Sequence, residues 1–134
     1  MRKTVWDPLR RKEVALTPEE EVRQWFIAQL RDSAGVPLHL MMSEAPLQLG
    51  AKKWRADIVV YDRNAAAVMV VECKRPEVEL TREVLAQAIR YDSVLGVKCI
   101  AVTNGKQTCV AVRTGDKGFE FMDRLPSYEE ILNF

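Results

Sequence analysis

Asp57, Glu72 and Lys74 are the residues of this chain whose types and spacing could do chemistry. They sit in the stretch RADIVVYDRNAAAVMVVECK, residues 55–74. Each lies in, or at the end of, an apolar β-branched run, where a charged group is costly to bury. Glu72 and Lys74 are two positions apart, so on a strand they share one face at roughly 7 Å. If the strand holding Asp57 is the neighbour, two carboxylates and an ammonium converge at the open end of a small sheet. That setting suits a hard divalent cation, Mg²⁺ or Mn²⁺, with the main-chain carbonyl of Cys73 as a further oxygen ligand. Such a cation neutralises developing charge and lowers the pKa of a bound water, which hydrolysis of a phosphodiester requires. A lysine beside it can position the nucleophile or stabilise the charged state. The bland alternative is an exposed Glu72–Lys74 ion pair, with Asp57 near a turn, which contributes little.

The elements around these residues follow from local pattern. Asp62-Arg63-Asn64 form a turn between the strands 55–61 and 68–74. Thr17-Pro18-Glu19-Glu20 opens a helix: Thr17 caps, Pro18 takes the first position and Glu20 falls where a capping-box acid belongs. Val22, Trp25, Phe26 and Leu30 give that helix one apolar side, and Gly35 with Pro37 ends it. Glu20 reads either as a first-turn acid or as an acid aimed at the sheet end. Residues 37–44 are expected as a strand and 46–53 as a connection through Gly50. His39 is the one histidine and, between two leucines, reads as structural. Glu44 reads as a solvated strand-end acid or an added acid near the site. The pattern of Leu80, Val84, Leu85, Ala88 and Ile89 predicts a helix over 79–95, with Gln87 and Tyr91 on one face. Residues 97–103 and 107–113 read as strands joined at Asn104-Gly105, and a loop is expected around Asp116. Residues 119–122 read as an edge strand, and Ser127 starts a short helix. The order predicts a mixed α/β fold, a central sheet flanked by two long helices.

RADIVVYD, VVECKRP and LAQAIRYDSVLGVKCIAVTNG, with TPEEEVRQWFIAQL before them, closely resemble the N-terminal nuclease domain of type I restriction enzyme R subunits. That domain belongs to the PD-(D/E)XK superfamily, and the resemblance covers residues 17–113. It implies a restriction-endonuclease-like fold and a metal-dependent nuclease acting on DNA. It matches Asp57, Glu72 and Lys74 to the core triad, Glu20 to the first-helix acid and metal shell, and Gln87 with Tyr91 to a glutamine-x-x-x-tyrosine element. Gln87 is then an amide that steadies Lys74 or a phosphate. Ala56 stands where the superfamily usually has proline. Lys52, Lys53, Arg55, Arg75 and Tyr91 are expected to meet nucleic acid, the cations by holding phosphates. Double-strand cleavage implies a homodimer or partner chains. The alternative is a non-catalytic nucleic-acid-binding or assembly module on the same fold, and a third reading is an RNA-directed nuclease.

Composition excludes little and adds less. The chain has 134 residues, 48 % of them hydrophobic, a net charge of +1 and three widely spaced cysteines. This size fits one domain over 17–134, preceded by a basic arm over 1–16. Cys73, Cys99 and Cys109 are expected to be reduced, which makes the cytoplasm the default location. No apolar run is long enough to span a membrane. No GK[ST] phosphate loop occurs, so no nucleotide cofactor is expected.

Overall fold

A computed structural model describes residues 3–115 and 118–134, so the loop expected around Asp116 lies outside the described residues. The stretch expected as a basic arm forms a hairpin, β1 (Thr4–Asp7) and β2 (Lys12–Ala15). Helix α1 (Pro18–Asp32) follows, with the Thr17 side chain accepting the Glu20 N–H at 3.0 Å. The reciprocal half of a capping box is absent, because the Glu20 side chain turns elsewhere.

The chain then makes a 3-10 turn at Leu38–Leu40, which leaves His39 exposed. Strand β3 (Met41–Leu49) continues straight through Pro46, where a connection was expected, and pairs with β4 (Lys52–Tyr61) across a turn at Gly50. Pro46 is tolerated because β3 is the edge of the sheet, where a missing N–H interrupts no inner ladder. Strand β5 (Ala67–Cys73) pairs antiparallel with β4. Helix α2 (Arg82–Asp92), capped by Thr81, then crosses to β6 (Cys99–Thr103), which lies parallel to β5. A parallel pair needs such a crossover element, and α2 provides it. Strands β7 (Thr108–Thr114) and β8 (Gly118–Met122) and helix α3 (Tyr128–Leu132) complete the fold. The six strands run in the order β3-β4-β5-β6-β7-β8.

Helices pack on the sheet unequally. Val22, Phe26, Ile27 and Leu30 of α1, with Tyr128 and Ile131 of α3, join Ile58, Val60, Met69 and Val71 in the larger core. Ile89 of α2 and Leu95 beyond it cover a smaller one around Ala56, Val59, Val70 and Ile100. Ala56 and Ile58, two residues apart, thus enter different cores. Strand alternation breaks at the residue between them, Asp57. Cys73 and Cys99 are buried and all three cysteines are free. Among the described residues no helix is long and apolar enough to cross a membrane.

Candidate active site

Asp57 and Glu72 are brought together by strand pairing. The register Ile58↔Val71, carried one step on, sets Asp57 beside Glu72. Asp57 Oδ2 accepts the Cys73 N–H at 2.7 Å, which ties the carboxylate to the end of β5. On its other side the β3·β4 ladder pairs Ser43 with Ile58 and Ala45 with Ala56 but skips the step between. Glu44, opposite Asp57, has a left-handed backbone with φ 53°. A non-glycine residue held there is strained, and such strain gathers at functional sites.

Two arginines neutralise the acids on the α1 side. Arg10, from the turn of the N-terminal hairpin, meets Asp7, reaches Glu20 Oε1 at 2.6 Å and lies 3.4 Å from Glu44 Oε2. Arg23 of α1 lies 3.7 Å from Glu20 Oε2, 3.4 Å from Glu44 Oε1 and 3.7 Å from Asp57 Oδ1. It also donates to Ser43 Oγ at 3.1 Å. Gln24 donates to Glu20 Oε2 at 3.0 Å. Both oxygens of Glu20 are therefore engaged, and its link to Asp57 runs through Arg23.

The α2 side is different. Glu72 and Lys74 line a cleft of about 440 Å³ with Val78, Val84, Gln87, Ala88 and Tyr91. Gln87 and Tyr91 thus face the acid and lysine from across the cleft, and Asp57 borders the same group from the strand. Asp92, the last residue of α2, turns inward and keeps only 1 % of its surface exposed. Its carboxyl group lies beside that of Glu72. Glu72 Oε1 and Asp92 Oδ2 are nonetheless buried without a donor. Two carboxylates can bond only through a proton or a cation. Burial above all, then the charges of Asp92 and Asp57, pushes Glu72 up to about 9, against the pull of Lys74. Burial likewise raises Asp92 to about 6, with Asp57 adding to it while neighbouring Glu72 and Lys74 oppose it. Among the described residues no three His, Cys, Asp or Glu side chains close on a common point as they stand.

The expected nucleic-acid residues are all exposed, and Tyr91 among them lines this cleft. Lys53, Arg55 and Arg75 are exposed, Arg75 lying 3.3 Å from Glu77. Lys52 Nζ sits 4.9 Å above the Trp54 ring, and Trp54 packs 5.7 Å from Tyr91, itself 46 % exposed. Trp54 Nε1 also donates to the Tyr91 carbonyl at 3.2 Å, which fastens the β3–β4 hairpin to the end of α2. Sequence reading missed Arg10, Arg23 and Asp92. A signal existed for Asp92 alone: an acid in the last turn of a helix opposes the helix dipole and asks for a reason.

With this geometry in place, the model of the family described as "Type I restriction enzyme R protein N terminus (HSDR_N)" matches residues 18–126. Two solved structures resemble the chain. A fragment described as an HsdR subunit of a type I restriction enzyme from Vibrio vulnificus aligns with a TM-score of 0.64 at 20 % identity, over 88 % of this chain and 25 % of that one. A protein described as a nuclease of the DUF820 group from Anabaena variabilis gives a TM-score of 0.55 at 12 % identity, over 98 % of this chain and 84 % of that one. At these identities the likeness shows the fold, which is restriction-endonuclease-like: a mixed central sheet flanked by helices. The chain spans about a quarter of the HsdR fragment's length. No curated protein matches the chain.

Proposed function

Because the chain belongs to the family of type I restriction enzyme R protein N termini, we propose that this nuclease-like domain hydrolyses DNA phosphodiesters with the aid of Mg²⁺ or Mn²⁺. One observation carries the reading: Asp57, Glu72 and Lys74 meet at one end of the sheet, and Gln87 and Tyr91 face Glu72 and Lys74 across the cleft. A purely structural domain has no need of clustered, uncompensated acids.

The residues fit a divalent cation. Every candidate donor is an oxygen, and the buried Glu72 Oε1 lacks any other partner, as a ligand atom held ready would. Asp57, Glu72 and the Cys73 carbonyl would hold the ion. Glu20, occupied by Arg10 and Gln24, keeps Arg23 in place rather than reaching the ion itself. A bound cation supplies Lewis acidity toward the phosphate and the attacking water. Lys74 adds positive charge where the transition state gathers negative charge, and the Gln87 amide orients Lys74 or a phosphate oxygen. Lys53, Arg55 and Arg75 hold the backbone of the nucleic acid without reading its sequence. A domain of this size covers little DNA, so cutting both strands calls for a second copy or a partner subunit.

The test is incubation of the chain with supercoiled, linear and branched DNA and with RNA, in Mg²⁺ or Mn²⁺, beside Asp57→Ala and Lys74→Ala. DNA cleavage that needs the cation and falls about 10²- to 10⁴-fold in each variant is expected. Cleavage that persists in both variants refutes the assignment of this site. Preferential cutting of RNA moves the substrate class, and nucleic-acid binding without cleavage favours a non-catalytic module.

A further inference from the structure

Of the acids around the sheet end, two are left without compensation. Glu20 and Glu44 meet Arg10 and Arg23, and Asp57 meets Arg23 and the Cys73 N–H. Glu72 and Asp92 have no ion pair among the described residues, and each leaves a buried oxygen without a donor. Asp92 is the more telling of the two. It is the one buried residue of α2, in a helix whose apolar side chains are only half covered. It sits at the helix C-terminus, where the backbone carbonyls already concentrate negative charge. It faces a second carboxyl group. Burial, dipole and neighbour all work against an ionised acid at this position, and packing alone would be better served by an apolar side chain. An arrangement so unfavourable when empty becomes favourable when a hard cation sits between the two carboxyl groups and takes up both orphaned oxygens.

We infer that Asp92 is a ligand, beside Glu72, of the divalent-cation site, the acids closing on the ion only as it binds, and that it fills from α2 the place the family resemblance gives to Glu20 on α1. The inference rests on the metal-dependent reading above. It extends the site from the sheet end to the C-terminus of α2, and so couples cation binding to the seating of that helix. Gln87 and Tyr91 stand on the same helix, and the cation therefore fixes the far wall of the cleft as well as the near one.

Calorimetric titration of Mn²⁺ into the full chain and its Asp92→Asn and Glu20→Gln variants tests this directly, with circular dichroism checking each fold. Asp92→Asn is expected to weaken Mn²⁺ binding by about tenfold or more, while Glu20→Gln leaves it unchanged. Equal affinity in Asp92→Asn and the unsubstituted chain overturns the inference and leaves the metal-dependent reading standing. So does a loss confined to Glu20→Gln. Failure of the unsubstituted chain to bind Mn²⁺ at all removes both. Should Asp92→Asn not fold, the unsubstituted chain decides: Mg²⁺ saturation must shift the ¹³C carboxyl resonances of Asp92 and Glu72 together. A shift at Glu72 without one at Asp92 overturns the inference.

Discussion

The two faces of the sheet are built on opposite terms. Against one, α1 buries Val22, Phe26, Ile27 and Leu30 at 4 % exposure or less, and Glu20, Glu44 and Asp57 beside it each find an arginine. Against the other, α2 leaves its apolar residues half covered, and its one buried residue is an acid with an oxygen left unpartnered. The difference separates holding the fold from doing the chemistry. The α1 face pairs Glu20, Glu44 and Asp57 with Arg10 and Arg23, and the one buried polar atom it leaves without a hydrogen-bond partner among the described residues is Arg23 Nε, a donor. The α2 face keeps unsatisfied oxygens beside an open cleft, at a cost in stability that the α1 face can carry.

The division of labour breaks most sharply if the helices respond alike to truncation. Leu30→Ala, at a site with no exposure, is expected to cost about 3–4 kcal/mol, against about 1 kcal/mol for half-buried Ile89→Ala. Urea unfolding monitored by tryptophan fluorescence measures both. Similar losses would mean that α2 carries as much of the core as α1.

Arg23→Ala comes next. Removing it leaves Asp57 without its arginine and should cost about 3 kcal/mol. Much of that loss should return in the double variant Arg23→Ala/Asp57→Ala, because the stranded charge is gone. An undiminished loss in the double variant would place the role of Arg23 in packing instead.

The smallest effect concerns pH. Glu72 is raised from an ordinary 4.5 to about 9, mainly by burial and then by Asp92 and Asp57. In that interval the folded chain holds a proton that the unfolded chain has released, so stability falls as pH rises through it. In chelator-treated protein the thermal midpoint should drop by several degrees between these limits, and Glu72→Gln should flatten the profile. Mn²⁺ should flatten it too. A midpoint that rises with pH would show that Glu72 is stabilised as an anion without metal.

Local pattern was enough for much of this molecule. Thr17-Pro18 and the apolar stripe behind it determined α1, and unbroken β-branched runs marked β4, β5 and β6. The two-residue spacing of Glu72 and Lys74 placed both on one face, and the four-residue spacing of Gln87 and Tyr91 did the same on α2. Those features depend on neighbours within a turn or a strand, which a sequence displays directly. Pro46 inside β3, the left-handed Glu44 and the pairing of Arg10 and Arg23 with acids 10 to 34 residues away depend on which strand forms the edge and which loops meet. Asp92 shows the limit best. Its sequence context marks only the last turn of an amphipathic helix, and its proximity to Glu72 arises because α2 must cross the sheet to deliver a parallel strand. Residue types determined which groups were available for chemistry. Chain crossing decided which of them were left unpaired, because compensation of charge is a matter of distance in space and a sequence records only distance along the chain.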